Sequence, residues 1–342
     1  MTTRPAAEPP AVAGLRVRPY RGLDDLPAIS KVTNAEHEAD RLPWRTTPEE
    51  LTAEYNHPSD QFDPARDVMV AELGDEVVAF SDLTWVDTTD GLREYRVSGA
   101  VRPDWRRRGI GTSLLHQNEA RARALAATHD TERTKVFGLF CGEHQADRQA
   151  IAERAGYAPV RWFFEMTRPL DDVPPVPALP DGIEVRPVTA DQMRQIFTAD
   201  IEAFQDHWGG FDSSEESFQR WLDSPSLDLS LLLMAWDGDE VAAGVVNSIY
   251  PAENESLGQL RGWLDSVFTR RAWRHRGLAR ALIVRSLRLL KERGMTTAVL
   301  GVDAENPSGA LGLYERVGFA VESRGSAHRK PMEAGHSTRP LE

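Results

Sequence analysis

The sequence predicts two α/β domains of the same fold in tandem, each built on a mixed sheet flanked by helices. Three observations support this prediction. The 342 residues suit two domains of ordinary size. A proline-rich segment divides the chain, and the same order of predicted elements recurs on either side of it.

The proline-rich segment spans residues 169–182 and reads PLDDVPPVPALPDG. Its five prolines exclude a regular helix or a central strand, because proline lacks the backbone donor that both require. We therefore expect an extended linker at this point. The predicted parts are a disordered lead, a first domain, the linker, a second domain and a tail, at residues 1–14, 15–168, 169–182, 183–332 and 333–342.

The predicted elements repeat in matching order. Each half begins with a strand-like alternation of apolar and polar residues, followed by a helix-like stretch and then by a hairpin whose turn contains Gly-Asp. The paired segments are 15–20 with 183–188, 24–34 with 191–204, 68–73 with 229–236, and 77–85 with 241–250.

The repeat keeps the same spacing, without a gap, over residues 101–111 and 269–279. Both segments carry Arg-x-x-Gly-x-Gly or Ala between a predicted strand and the predicted helices 109–126 and 277–293. Glycine lets the backbone approach a ligand closely, and the first N–H groups of a helix have no partner within it. This arrangement predicts an anion site suited to a pyrophosphate. The alternative for a single motif of this kind is an ordinary turn with a solvated basic cluster. Two copies of the motif in matching contexts disfavour that alternative.

These loops resemble the acyl-CoA loop of the GNAT (Gcn5-related N-acetyltransferase) superfamily, once in each half. The resemblance implies that the loops hold the pyrophosphate of acyl-CoA, with acetyl-CoA as the expected form of coenzyme A. It also implies that the preceding strands, 93–101 and 261–269, carry a bulge and splay from a neighbour to admit the pantetheine. The residues assigned to the cofactor in this way are Val101, Arg106, Arg107, Arg108, Gly109, Ile110, Gly111, Phe268, Thr269, Arg274, His275, Arg276, Gly277, Leu278, Ala279 and Asn306.

Residues 310–319 read ALGLYERVGF, which matches the family pattern A-x-x-L-Y-x-x-x-G-F. The resemblance implies that Tyr314 lies near the thioester sulfur and protonates the leaving thiolate, and that Asn306 contacts the pantetheine arm. A phenol suits this role, because expelling a thiolate requires a proton at the sulfur. The alternative is that Tyr314 only packs its helix against the sheet.

Asp265 lies in an otherwise apolar predicted strand, where a carboxylate is costly without a function or a partner. The family often uses an acidic side chain on this strand as a base, so Asp265 is the candidate base. The alternative is structural pairing with an arginine or a backbone group. The first half has Val97 and Ala152 where the second has Asp265 and Tyr314. We therefore expect catalysis in the second half only, and leave CoA binding by the first half open.

Residues 206–208 follow the first predicted helix of the second half, in the region that walls the acceptor cleft in the family. Asp206 is a candidate to hold a cationic amine, His207 to act as an auxiliary base and Trp208 to stack on the substrate. The alternative is a capped loop with a buried aromatic residue. No histidine or cysteine spacing predicts a metal site.

The net charge of −13 disfavours a nonspecific nucleic-acid binder, which needs a basic face. It suits a cationic amine substrate, and it is also typical of an ordinary cytosolic protein. Cys141 is the only cysteine, so no internal disulfide is possible. No apolar run reaches the roughly 18 residues of a membrane span, and residues 1–14 lack the apolar region of a signal peptide. We expect a cytoplasmic protein.

Together these expectations describe an acyl-CoA-dependent N-acyltransferase that transfers acetyl to a primary amine of a small molecule by direct attack on the thioester. The layout is similar to that of the mycothiol synthase family, which stays an alternative beside antibiotic-amine and protein or peptide N-acetylation. A different class of function is a noncatalytic acyl-CoA-binding sensor. We expect the two domains to form an intramolecular pseudo-dimer, and the oligomeric state stays open.

Overall fold

The computed structural model describes residues 12–205, 207–306 and 308–333 and divides into two compact units. The first unit contains the described residues up to Val86, then Gly91–Ala158, and the described residues from His328 onward. The second contains Asp87–Asp90 and Pro159–Ala327. The predicted lead and tail lie outside the described residues, apart from residues 12–14 and 333.

The first unit is a mixed sheet flanked by helices. Its elements are β1 (Leu15–Pro19), α1 (Leu26–Ala39), α2 (Pro48–Tyr55), α3 (Pro64–Asp67), β2 (Met69–Leu73), β3 (Glu76–Asp87), β4 (Leu92–Val101), α4 (Ile110–Ala126), β5 (Thr134–Gly142) and α5 (Ala146–Arg154). The strands lie in the order β1-β2-β3-β4-β5. β2 pairs antiparallel with both β1 and β3, whereas β4 and β5 are parallel.

The second unit repeats this plan. Its elements are β6 (Ala158–Pro169), β7 (Ile183–Arg186), α6 (Met193–Phe204), α7 (Glu215–Leu222), β8 (Leu232–Asp237), β9 (Glu240–Ser248), α8 (Pro251–Leu257), β10 (Arg261–Thr269), α9 (Leu278–Glu292), β11 (Thr297–Asp303), α10 (Ala310–Val317) and β12 (Ala320–Pro331). The strand order is β6-β11-β10-β9-β8-β7, and only β10 and β11 of this series pair in parallel. The predicted mixed-sheet fold class is thus confirmed in both units.

The parallel strand pair of each unit separates part of the way along. In the second unit, pairing of the described residues runs from Arg261↔Thr297 to Trp263↔Val299, although β10 continues to Thr269. The pairing of β10 with β9 shifts register between Leu264 and Ser266, which makes Asp265 the extra residue of a β-bulge. The bulge and the splay that the family resemblance implied for β10 are both present.

Helix α9 packs against β10 through an apolar stripe. Leu282, Leu287 and Leu290 of this stripe are fully buried. Gly262 on β10 allows the close approach, because a Cβ there would lie 2.6 Å from a methyl carbon of Leu290. Among the described residues, no helix is long and apolar enough to cross a membrane.

Two strands depart from the predicted domain boundaries. Most of β6 was expected in the first domain but lies in the second unit, where it pairs antiparallel with β11 from Phe163↔Asp303 to Pro169↔Thr297. The last residues of β12, 328–331, were expected in the second domain but lie in the first unit, beside β5. A strand's own pattern predicts its existence, but its partner depends on long-range contacts that the pattern does not record.

Arg168 shows how β6 supports the second unit. This buried arginine donates from Nε to the carbonyl of Val317 at 2.8 Å and from Nη1 to the carbonyl of Pro169 at 2.6 Å. A further hydrogen bond reaches the carbonyl of Asp172. Because Val317 is the last residue of α10, the guanidinium satisfies a carbonyl that the helix itself leaves open.

We expect Arg168→Met to lower the free energy of unfolding by about 2–4 kcal/mol, because it leaves buried carbonyls unpaired. Urea unfolding followed by tryptophan fluorescence measures this. The matched control is Arg194→Met, which removes an exposed ion pair with Glu215 and should change the stability by less than about 1 kcal/mol. Equal effects of the two substitutions would contradict the role given to Arg168.

Candidate functional site

The loop before α9 has a backbone shaped to bind an anion. His275 and Gly277 adopt positive φ angles of 61° and 81°, and Gly277 is the N-cap of the helix without a side-chain cap. The equivalent residues of the first unit, Arg107 and Gly109, have φ angles of 63° and 82°. Alternation of right- and left-handed residues turns successive N–H groups toward one concave point. The two loops therefore share a backbone conformation as well as a sequence pattern.

The loop of the second unit keeps its donors and part of its charge available. A Cβ on Gly277 would meet nothing within 4 Å, so the space before the helix is open. His275 and Arg276 are exposed and form no hydrogen bond or ion pair with the residues that the structure describes. Arg274 differs, because its guanidinium donates to the carbonyls of Thr269 and Ala203 at 3.1 and 3.0 Å. Arg274 thus fixes the loop to the end of β10 and to α6.

The loop of the first unit has its basic side chains engaged. Arg106 pairs with Asp40 at 2.6 and 2.9 Å, and Arg107 forms an ion pair with Asp147. Arg108 lies over the Trp105 ring, with its guanidinium carbon 4.4 Å from the ring centroid. The same backbone therefore offers an anion less uncompensated positive charge here than in the second unit.

Arg148 also occupies the opening between β4 and β5. This residue lies on α5 and donates to the carbonyl of Gly99, which is on β4 beyond the point where pairing with β5 ends. It also contacts Glu36 of α1 at 3.2 Å. In the first unit, a main-chain acceptor of β4 beyond the region paired with β5 is therefore bound by the unit's own side chain.

Tyr314 lies on α10 with its ring packed and its hydroxyl unused. The residue is 7% exposed, and its ring centroid is 6.1 Å from that of Phe319. The hydroxyl makes no hydrogen bond with any described residue. Burial raises the pKa of Tyr314 to about 12, so the phenol keeps its proton at neutral pH. Packing and a proton-donating role are therefore compatible for this side chain.

Asn306 shapes the turn that leads from β11 into α10. Its side-chain oxygen accepts a hydrogen bond from the backbone N–H of Ser308 at 2.9 Å, and its own N–H donates to the carbonyl of Asp303 at 3.1 Å. The side-chain amide nitrogen makes no hydrogen bond with the described residues. A donor therefore remains available next to the start of α10.

Asp265 lies at the bulge of β10. The residue is accessible to solvent, yet enough protein surrounds its carboxyl that burial raises its pKa, against hydrogen bonds from Ser248 and Tyr250 that lower it. The Tyr250 hydroxyl lies 3.0 Å from Oδ2. The structural alternative was that Asp265 pairs with an arginine or a backbone group. Its partners are instead the hydroxyl groups of Tyr250 and Ser248.

Asp200 is a second carboxylate at this strand, and no sequence motif had indicated it. It lies on α6, and the Ser266 hydroxyl donates to its Oδ1 at 2.6 Å. Burial raises the pKa of Asp200 to about 6. The signal available in the sequence was an acidic residue beside the buried stripe of an amphipathic helix.

The predicted acceptor residues lie in an aromatic cluster after α6, apart from Asp206, which is outside the described residues. The Trp208 indole donates to Asp90 at 3.1 Å, and its ring centroid lies 6.0 Å from that of Phe163. His207 packs between Phe204 and Phe211, with ring centroids 5.3 and 6.1 Å away.

Arg161 on β6 is a further residue that the sequence analysis missed. Its guanidinium lies 5.8 Å from the Trp208 ring centroid and binds both carboxyl oxygens of Asp303 at 2.8 Å. Because Asp303 is buried at the end of β11, this pair holds the strand end beneath the aromatic cluster. No group of three or more potential metal ligands occurs among the described residues.

Comparison with known proteins finds a family match in each half of the chain. The model of the Acetyltransferase (GNAT) family matches residues 191–319, and that of the Acetyltransferase (GNAT) domain matches residues 64–159. The mycothiol acetyltransferase of Salinispora arenicola is 31% identical over 268 residues, which are 71% of this chain and 74% of that protein. That of Catenulispora acidiphila is 29% identical over 226 residues, 65% and 68% of the two chains.

Solved structures extend the likeness to nearly the whole chain. A GCN5-related N-acetyltransferase from Sphaerobacter thermophilus has a TM-score of 0.67 and 27% identity, covering 95% of this chain and 98% of that one. A tandem GNAT protein from the clavulanic acid biosynthesis pathway shares the fold, with a TM-score of 0.66, 18% identity and coverage of 94% and 100%. The chain belongs to the GNAT acetyltransferase family and carries two GNAT domains in tandem.

Proposed function

We propose that this chain is an acetyl-CoA-dependent N-acetyltransferase whose second unit transfers acetyl to a primary amine of a small molecule. The observation that carries the proposal is the contrast between the units. Along β10, β11 and α10 the second unit combines an anion loop with free charge, a phenol without a hydrogen-bond partner among the described residues, and a carboxylate on a solvent-exposed residue. The first unit has its loop charges paired, and has Ala152 and Val97 in place of Tyr314 and Asp265.

The residues of the second unit fit the parts of acetyl-CoA, which supplies an activated thioester. The N–H groups of residues 275–279 and the free Arg276 side chain would bind the pyrophosphate. Phe268 and Thr269 end the splayed strand along which the pantetheine would lie, and the Asn306 amide would donate to that arm. Arg274 holds the loop in place through carbonyls of the protein.

Two protons move in the proposed reaction. Asp265 accepts the proton that the amine nitrogen loses as it bonds to the acetyl carbon. Tyr314 gives its proton to the sulfur as the carbon–sulfur bond breaks, and recovers one from solvent. A protonated phenol and an ionised carboxylate are the forms that these steps require, and burial of Tyr314 favours the first.

The acceptor side would be completed by His207 and Trp208 on the aromatic cluster, with Asp206 as a further candidate. The names of relatives at 26–31% identity favour mycothiol acetyltransferase activity as a second, narrower candidate. The two candidates differ in the acceptor alone. Turnover measured with the acceptor of that enzyme beside a panel of simple primary amines separates them.

We expect Gly277→Glu to weaken acetyl-CoA binding by more than about 10-fold, because it directs a negative charge into the open space before α9. Isothermal titration calorimetry measures the affinity and the stoichiometry. Gly277→Ala controls for the strain of a side chain at positive φ, and Gly109→Glu makes the same change in the first unit. Gly109→Glu should preserve the affinity at one acetyl-CoA per chain. Unchanged affinity in Gly277→Glu refutes the assignment of the loop.

We expect Tyr314→Phe to lower kcat by roughly 10²–10⁴, the usual contribution of a positioned acid. Stability and acetyl-CoA affinity should not change, because the hydroxyl that is removed has no partner among the described residues. Release of free thiol from acetyl-CoA in the presence of amines measures kcat. Full activity of the variant would contradict the role of Tyr314. A wild-type protein that binds acetyl-CoA but releases no thiol with any amine would be a sensor.

We expect Asp265→Asn to lower kcat/KM more at about pH 7 than at about pH 9, because a base matters most where little free amine exists. The wild-type protein should lose activity as the pH falls through the raised pKa of Asp265, since the protonated carboxyl no longer accepts a proton. The fall in kcat/KM that titration of Asp265 causes at low pH should be absent in Asp265→Asn. Parallel pH profiles of kcat/KM for the two proteins are the check, and an equal loss at both pH values argues against a base.

A further inference from the structure

Asp200 has a free carboxylate oxygen next to the bulge that carries Asp265. Its Oδ1 accepts the hydrogen bond from Ser266, the residue that directly follows Asp265 on β10. Its Oδ2 makes no hydrogen bond with the described residues and is not sealed off from solvent. Ser266 therefore fixes Oδ1 of the carboxylate, and Oδ2 stays available to a ligand.

The repeat shows that this carboxylate is a specific addition to the second unit. Helices α1 and α6 align through their buried positions, Leu26, Ile29 and Val32 with Met193, Ile196 and Ala199. This alignment places Thr33 of the first unit opposite Asp200. The Thr33 hydroxyl donates to the carbonyl of Ile29 at 3.0 Å, so the helix position needs no acid for folding.

The serine that contacts Asp200 is shared by both units, but its acidic partner is not. Ser98 occupies the position of Ser266, and it donates to Asp82 on β3 at 2.7 Å. In the second unit the acid that binds this serine lies on α6 instead. The second unit, which contains Tyr314 and Asp265, is thus also the unit that has an acidic residue, Asp200, on the helix that contacts this serine.

We propose that Asp200 binds the ammonium group of a cationic amine acceptor beside β10. A reacting nitrogen bound in this way first releases one proton to solvent, and Asp265 accepts the second proton as the nitrogen bonds to the acetyl carbon. The proposal rests on the proposed function and deepens it, because it makes positive charge a requirement for acceptor recognition. An ammonium group can donate a charge-assisted hydrogen bond to the free oxygen of Asp200 while Ser266 fixes the other oxygen. Neutral molecules of the same shape gain no such bond.

Burial is consistent with this role. It raises the pKa of Asp200 to about 6, which leaves the group ionised at neutral pH in a position that water solvates poorly. A bound cation compensates the charge of such a carboxylate, whereas an amide at the same position carries no charge to compensate.

The test compares a cation with its neutral analogue. Benzylamine, protonated at neutral pH, and benzyl alcohol are titrated into the CoA-bound protein, and binding is followed by ligand-observed NMR. Asp200→Asn should weaken binding of benzylamine by about 10- to 100-fold and leave benzyl alcohol unaffected. Asp200→Thr installs the residue of the first unit and should behave in the same way. Equal binding of benzylamine to the wild-type protein and both variants would overturn the proposal.

Two controls separate charge recognition from folding and from the chemistry. Asp82→Asn removes the corresponding serine-bound acid of the first unit and should leave binding of benzylamine unchanged. Unchanged CoA affinity shows that each variant is folded. If the benzylamine contrast holds but the wild-type protein acetylates no amine, the proposed function fails and Asp200 remains a cation site. If amines are acetylated and the contrast is absent, this proposal fails alone.

Discussion

The rest of the structure depends on the hydrogen-bonding requirement of two parallel strands that separate. Where β10 diverges from β11, the main-chain groups on the facing edges lose their strand partners and need others. The bulge at Asp265 lies at the point of divergence, and the loop before α9 lies at its open end. A ligand with amide and phosphate groups is chemically suited to such an opening. Under the proposed function, Tyr314, Asn306 and Asp265 act at this opening.

The two units show that loops with the same backbone conformation can have different side-chain contacts. Their loops have the same pair of positive φ angles, yet the side chains around them differ. In the first unit, Arg148 reaches the main chain of β4, and Asp147 pairs with the loop. In the second, His275 and Arg276 make no hydrogen bond or ion pair with the described residues. A duplicated domain can thus keep its fold while its own ion pairs engage the groups that a ligand would otherwise bind.

The parts of this protein that follow from sequence are those encoded locally. The hairpins, the loop geometry around Gly109 and Gly277 and the helices with one apolar face follow from neighbouring residues, and the repeat reinforces each prediction. Contacts between distant segments could not be predicted in this way. The motif arginine Arg274 bonds to protein carbonyls, and Asp200 meets Ser266 only because α6 packs on β10. The exchange of β6 and of the end of β12 has the same origin, since register is decided by the finished sheet.

The placement of the end of β12 affects the order of events during synthesis. Residues 328–331 lie in the first unit, where the buried Arg329 pairs with Glu94 on β4 at 2.9 Å. A ribosome makes these residues after nearly all of the second unit, so the nascent first unit lacks the Arg329 partner of Glu94 and the strand beside β5 until then. Domains usually fold in order as they emerge, and exposed edges invite wrong partners in the meantime. Completion of this part of the first unit therefore follows the synthesis of most of the second unit.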